Sequence, residues 1–407
     1  MVKSRGKNPG DRQIINYITD TDLYKLTMQQ AVLQHFPDLK VRYRFTDRTN
    51  RKYPKFFAHR LVFEVHKLGE LRLRNEEERY LRSLPFLTDV YVDFLKGYKF
   101  NPHELSITQD EEGHLIIDIE GPWYRTILWE VPLMALISEL YFEETTQKDR
   151  EKNQFNIYDD VHKDKDIAKA HLLVQHNAYF ADFGTRRRFS FANQERVIKN
   201  FIEAGKHCFV GTSNVYFAMK YGLKPIGTMA HEWIMAFGAV YGYKMSNTLA
   251  LRTWADTYEG DLGIALSDTY TTETFFKSFD KRSAKLFDGV RHDSGDAFEF
   301  ADKVIEHYKS LGIDPLSKVI VFSDGLNPQL ATEIKEYCAG KIKSSFGIGT
   351  NFSNDLGFKA LNIVIKISEV LINGEWYPAV KLSDDLGKNT GDPQEVQLCK
   401  DILRIKK

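Results

Sequence analysis

The residues able to do chemistry in this chain gather in seven short segments, each just after a run of small or apolar residues. They are DFGTRRR from Asp182, FVGTSN from Phe209, PIGTMAHEW from Pro225, GIALSDTYTT from Gly263, VRHDSGD from Val290, VIVFSDGLN from Val319 and SFGIGTN from Ser345. In the first, Arg186 and its two arginine neighbours follow a glycine turn. Consecutive side chains cannot all face one way, so one or two of the three face a site. The planar guanidinium fork suits phosphate or carboxylate. Cations at a helix start oppose its dipole unless an anion binds there; without one, the run is a solvated basic turn. VRHDSGD sets Arg291 beside Asp293 and Asp296, a set able to hold ribose hydroxyls or to balance positive charge on a sugar ring. Asp293 or Ser294 can also cap a helix there.

His231 follows a Gly-Thr turn, a position that favours accepting a proton or a phosphoryl group over a structural role. Gly347-Ile348-Gly349-Thr350 either makes a plain turn or cradles a phosphate with backbone N–H groups. Several other chemistries are excluded. H-E-x-x-H would need histidine where Met235 stands, and a dinucleotide fingerprint would need glycine at Phe352. There is no Walker A motif, no G-x-S-x-G elbow and no C-x-x-C pair. The three cysteines, Cys208, Cys338 and Cys399, are scattered, which points to a reducing, cytoplasmic compartment.

Helical stretches separate most of these segments at intervals of roughly 20–40 residues, the rhythm of βα units. Closed into a barrel, such units bring their polar strand ends to one mouth, and phosphate commonly binds on the loops after the last two strands. Those loops would be VFSDGLN and FGIGTN. Before the ladder, the sequence predicts a helix over Asp22–His35 capped by Asp20 or Thr21, a strand over Val41–Phe45, and helices over Leu61–Leu73 and Glu76–Leu84. A strand over Leu115–Ile119 follows, and Thr126–Phe142 reads as a buried helix, since Glu130, Pro132 and Glu139 rule out a membrane span. The charge-dense stretch Glu143–Asp166 reads as an exposed connection. After the ladder, NIVIKISEVLINGEWYPAVKLS reads as a hairpin about Asn373-Gly374. A hairpin does not continue a βα ladder, so it is expected to return to the N-terminal part. The expected architecture is α/β: an irregular TIM-like barrel over 165–357 with a discontinuous α/β N-terminal domain, 1–150 completed by about 358–407.

With 407 residues, two domains are the natural expectation, and 43% hydrophobic residues can build a sizeable core. Lys+Arg and Asp+Glu balance at 56 each, so no global field draws the chain to nucleic acid or an anionic membrane. The leader MVKSRGKNPGDR is basic but lacks the apolar stretch of a signal peptide.

Taken together, DTDLYKLTMQQAV, GPWYRTILWEVPLMALISEL, DFGTRRRFS, VGTSN, GTMAHEW, RHDSGD, FSDGLN, FGIGTN and LNIVIKISE closely resemble nicotinate phosphoribosyltransferases, in order and over nearly the whole chain. The resemblance implies a type II phosphoribosyltransferase. Its substrates are nicotinate and 5-phosphoribosyl 1-diphosphate, and its products are nicotinate mononucleotide and diphosphate, with Mg2+ on the diphosphate. It also implies ATP hydrolysis through a phosphohistidine at His231, and a homodimer with its sites at the interface. By the same resemblance, Phe183 stacks on the pyridine ring with Tyr24 supplied by the neighbouring subunit. Arg186 and Arg291 contact substrate, Thr228 contacts nicotinate, Asp293 and Asp324 are ribose-side acids, and Gly349 and Thr350 form the phosphate loop. Nicotinamide-using enzymes of the same fold carry aspartate where this chain has Ser213, so a carboxylate substrate is expected. Quinolinate would need additional basic residues. The residues by themselves leave open a Schiff-base aldolase barrel and a non-catalytic metabolite sensor.

Overall fold

The computed structural model describes residues 13–152, 155–385 and 389–405; the basic leader MVKSRGKNPGDR falls outside them. Eleven strands occur among these residues: β1 Lys40–Asp47, β2 Leu105–Gln109, β3 Leu115–Pro122, β4 Tyr179–Asp182, β5 Phe209–Thr212, β6 Ile264–Leu266, β7 Gly289–His292, β8 Val319–Phe322, β9 Lys343–Ile348, β10 Ile363–Ile372 and β11 Glu375–Pro378.

Five of them form an antiparallel sheet in the order β11-β10-β1-β3-β2. Apolar residues alternate inward, with Val41, Tyr43 and Phe45 on β1 and Leu115, Ile117 and Ile119 on β3. On β10 the buried positions run Ile363, Ile365, Ile367 and then Val370, a change of phase. The pairing with β1 carries an irregularity there: Arg42 faces Glu369 and Tyr43 faces Ile367, leaving Ser368 extra. This bulge keeps apolar side chains on the core face on both sides of the slip. The predicted hairpin is therefore β10–β11, and β10 lies against β1.

The other six strands form a parallel sheet in the order β5-β4-β9-β8-β7-β6. All six descend from predicted βα segments, and the seventh segment, at Pro225, bridges the two sheet edges. Pro225 pairs with Thr212 of β5, and the Thr228 hydroxyl donates to the Ile264 carbonyl of β6 at 3.0 Å. The chain approaches so closely that a Cβ on Gly211 would meet the Lys224 carbonyl oxygen at 2.1 Å. The result is an irregular α/β barrel whose strands end at one mouth.

Two local expectations are corrected. The first helix runs Leu23–His35 with Asp22 at its N-cap, rather than Asp20 or Thr21. Asp20 is instead taken by Arg188, which donates two bonds to it at 2.7 and 2.8 Å in a fully buried pair. The charged stretch Glu143–Asp166 is largely helical, falling in helices Glu130–Thr145, Gln147–Glu151 and Asp160–Gln175. Its charges are engaged at long range: Arg60 holds Glu143 and Glu144, and Asp166 accepts from Arg196 and Asn200. Among the described residues no helix is long and apolar enough to cross a membrane.

Candidate active site

The C-terminal ends of the barrel strands open on a cavity of about 140 Å³. The loop after β4 lends it Phe183, Arg186 and Arg187, and the end of β5 lends Ser213. His231, Arg291, Asp293, Ser323 and Gly349 line the barrel side. Asp22, Tyr24 and Glu130 come from the N-terminal part, and Val364 to Ile367 of β10 close the wall.

His231 is the first residue of the helix His231–Tyr241. Its Nε2 lies 2.9 Å from Asp293 Oδ2 and its Nδ1 lies 2.9 Å from the Thr269 hydroxyl. Burial, then the positive charge of Lys381, push the imidazole down to about 4, against the pull of Asp268 and Asp293. The ring is therefore neutral at pH 7. Because a carboxylate only accepts, Nε2 carries the proton, and the Thr269 hydroxyl donates to the Nδ1 lone pair. Burial raises Asp293, but Arg291 and His231 outweigh it and hold its carboxyl well below the usual range. Arg291 reaches Asp293 at 3.3 Å and donates to the Met229 carbonyl at 3.2 Å.

Two of the three consecutive arginines face the cavity, Arg186 and Arg187, while Arg188 turns away to Asp20. Arg186 lies 3.3 Å from Glu130 and 3.8 Å from Asp22, with its guanidinium 5.8 Å from the centre of the Tyr24 ring. Burial and the adjacent Arg186 bring Arg187 down to about 10. Lys366, mostly buried on β10, is pushed down to about 7 by burial and by Lys381 and Arg48. The cavity wall thus sets four cationic side chains, Arg186, Arg187, Arg291 and Lys366, among four carboxyls, Asp22, Glu130, Glu232 and Asp293. Phe183 packs on bare backbone: a Cβ on Gly347 would stand 2.3 Å from its ring.

The structure gathers Tyr24, Phe183, Arg186, Ser213, His231, Arg291, Asp293 and Gly349 in this one cavity. Thr228, Asp324 and Thr350 are not in its wall. Thr228 directs its hydroxyl to Ile264, Asp324 follows the lining residue Ser323, and Thr350 follows the lining residue Gly349. Tyr24 corrects one expectation: it lines the cavity of its own chain, with no neighbouring subunit needed to bring it beside Phe183. Ser213 donates to Asp22 Oδ1 at 2.7 Å, and that carboxyl is raised by burial.

The Nicotinate phosphoribosyltransferase (NAPRTase) family model matches residues 178–407, and that family's N-terminal domain model matches residues 19–138. The chain belongs to the nicotinate phosphoribosyltransferase family. It is 48% identical over 393 residues to the nicotinate phosphoribosyltransferase of Desulforapulum autotrophicum, covering 96% of this chain and 99% of that protein. It is 44% identical to that of Methanosarcina mazei, with 96% and 98% covered. The crystal structure of nicotinate phosphoribosyltransferase from Porphyromonas gingivalis superposes with a TM-score of 0.91 at 43% identity, covering 96% of this chain and all of that one.

Within this family member, sequence reading missed Asp22, Glu130, Asp268 and Lys366. Lys366 left a signal, being a lone cation in the apolar alternation of LNIVIKISE. Asp268 left a weaker one in GIALSDTYTT, at a strand end. Glu130 left none, since it sits in a run that reads as plain buried helix.

Proposed function

We propose that the chain joins nicotinate to C1 of 5-phosphoribosyl 1-diphosphate and couples this to ATP hydrolysis through phosphorylation of His231. The observation that carries the reading is one cavity holding an aromatic pair, Tyr24 and Phe183, with Arg186 and Arg291 beside a neutral imidazole fixed by Asp293. The pyridine ring lies between the aromatics with its carboxylate toward Arg186, and its nitrogen attacks C1. The C1–O bond breaks and its electron pair leaves with diphosphate. Arg291 contacts substrate, Arg187 and Lys366 face the phosphates, and Asp293 balances the positive charge that develops on the sugar. Gly349 and Thr350 take the 5-phosphate, and Asp324 takes ribose hydroxyls. Thr228 contacts nicotinate by turning toward the carboxylate its hydroxyl, which otherwise donates to the Ile264 carbonyl.

Mg2+ carried on the diphosphate would neutralise leaving-group charge. The donor set fits such a hard cation: side-chain atoms of His231, Asp268 and Asp293 lie within 4.8 Å of one another, and Asp268 Oδ1 is buried without a hydrogen-bond partner. Asp268 and Asp293 would hold the ion, leaving His231 for ATP. Its Nδ1 lone pair attacks the γ-phosphorus, ADP leaves, and water then releases phosphate and restores the imidazole.

The homodimer implied by the resemblance stays in the proposal, although Tyr24 does not depend on it. The three buried free cysteines fit the cytoplasm, where this reading puts the enzyme. The test offers nicotinate, nicotinamide and quinolinate separately with 5-phosphoribosyl 1-diphosphate and Mg2+, with and without ATP. Mononucleotide from nicotinate, accompanied by phosphate release from ATP, is expected. Preference for nicotinamide or quinolinate would overturn the substrate, and no turnover with any acceptor would overturn the enzyme.

A further inference from the structure

Lys25 is fully buried in the helix Leu23–His35, one residue after the cavity-lining Tyr24. A lysine without solvent needs compensating charge, and here two carboxylates converge on one ammonium. Lys25 Nζ lies 2.6 Å from Glu130 Oε2 and 2.5 Å from Glu232 Oε2. Burial alone would discharge the amine, yet the two carboxylates win and hold it charged.

Both carboxylates line the cavity, and each is tied to a different part of its chemistry. Glu130 also accepts from Arg186 at 3.3 Å, on the anion-binding wall. Glu232 directly follows His231 at the start of its helix. The other oxygen of Glu232 accepts from the Trp123 ring nitrogen at 2.7 Å and from the Tyr43 hydroxyl, which fixes the helix start to the N-terminal sheet. The result is an unbroken line of alternating charge, Arg186–Glu130–Lys25–Glu232, ending beside the histidine. Arg186 is the member that an incoming anion would engage, in competition with Glu130.

We infer that Lys25 is a positioning residue that couples the anion site at Arg186 to the helix start carrying His231. This rests on the ATP-coupled reading above. When a substrate carboxylate takes a share of Arg186, Glu130 turns more of its charge to Lys25, and the hold of Lys25 on Glu232 relaxes. Phosphorylation beside Glu232 works the same line in reverse, because a coupling between two sites is reciprocal. A merely structural ion pair has no reason to end on both sites.

The experiment compares wild-type protein with Glu232→Gln, which keeps an oxygen for Trp123 and Tyr43 but removes the charge facing Lys25. Lys25→Met is a second variant, for use if it purifies folded. Thermal unfolding, nicotinate KM with and without ATP, and ATP hydrolysed per nucleotide formed are measured for each. The expected result for Glu232→Gln is a cooperative unfolding transition, loss of roughly tenfold or more in the effect of ATP on nicotinate KM, and excess ATP hydrolysed per nucleotide. An ATP effect and a stoichiometry equal to wild type would overturn the inference. So would a parallel fall in both activities with KM unchanged, which is what a smaller folded fraction produces. Absence of ATP hydrolysis by the wild-type protein would instead sink the coupled reading on which the inference stands.

Discussion

Replacing Ser213 by aspartate tests the substrate's charge at the point where the cavity is least forgiving. Ser213 is 5% exposed and donates to Asp22 Oδ1 at 2.7 Å, and Asp22 is 2% exposed. Ser213→Asp removes that donor and sets a second carboxyl against the first. Two full charges about 4 Å apart at an effective dielectric near 20 repel by roughly 4 kcal/mol, so the pair will share a proton over part of the pH range. Nicotinate brings a further negative charge to the same pocket. After relief by the shared proton and by Arg186, 3.8 Å from Asp22, the net loss in nicotinate binding should be about 1–3 kcal/mol, roughly 5- to 150-fold in KM. Ser213→Ala is the control, since it deletes the hydroxyl and adds no charge, for a cost of about 1 kcal/mol. The assay is nicotinate kcat/KM for both variants from pH 6 to pH 9. A like charge raises the second titration of the pair, so the penalty should be smaller at the acid end and grow as that proton leaves. Equal, pH-independent kinetics in Ser213→Asp and Ser213→Ala would refute the placement of the nicotinate carboxylate near this residue.

His231→Asn should abolish ATPase activity and acid-labile phosphate incorporation while leaving ATP-independent nucleotide synthesis measurable; label from γ-labelled ATP persisting in the variant would move the phosphorylation elsewhere. Arg291→Lys keeps the charge but cannot serve Met229 and Asp293 with one planar fork, so kcat/KM should fall by roughly a hundredfold with thermal stability little changed. Gly347→Ala would bring a methyl to 2.3 Å from the Phe183 ring, and overpacking of this kind costs about 1–3 kcal/mol. Its nicotinate KM should rise, and an unchanged value would separate Phe183 from the pyridine site. Lys366, lowered to about 7, should take up a proton when an anion settles against it, because a nearby negative charge favours the ammonium. Calorimetric titration of diphosphate near pH 8 in buffers of different ionisation enthalpy should show more proton uptake in the wild type than in Lys366→Met; identical uptake would remove Lys366 from the phosphate site.

The barrel was legible because each of its strands ends in an abrupt change from apolar to polar or glycine, a local signal. Strand order was not, because β9 lies beside β4 through contacts that no window of sequence contains. The same distinction divides the site. Arg291, Asp293 and His231 announce themselves by type and position at strand ends. Asp20 misled because a carboxylate before a helix reads locally as a cap, while its actual partner, Arg188, lies far along the chain. Lys25 and Glu130 sit in helices that look like ordinary core, and only the fold shows that their charges meet. Glu143–Asp166 looked like a loop because its polar residues find their partners, such as Arg60 and Arg196, outside the segment.

The return of β10 to β1 sets an order on how the protein can be made. Strand β10 supplies Val364 to Ile367 to the cavity wall, yet it leaves the ribosome after all six barrel strands. At about 5–20 residues per second, β1 waits on the order of tens of seconds for this partner. Through that interval one edge of a sheet core is open, and non-local pairing of this kind is intrinsically slow. Nascent chains stopped before β10 would carry every barrel strand and still lack a wall of the pocket. The growing polypeptide is thus kept from its substrates until β10 arrives.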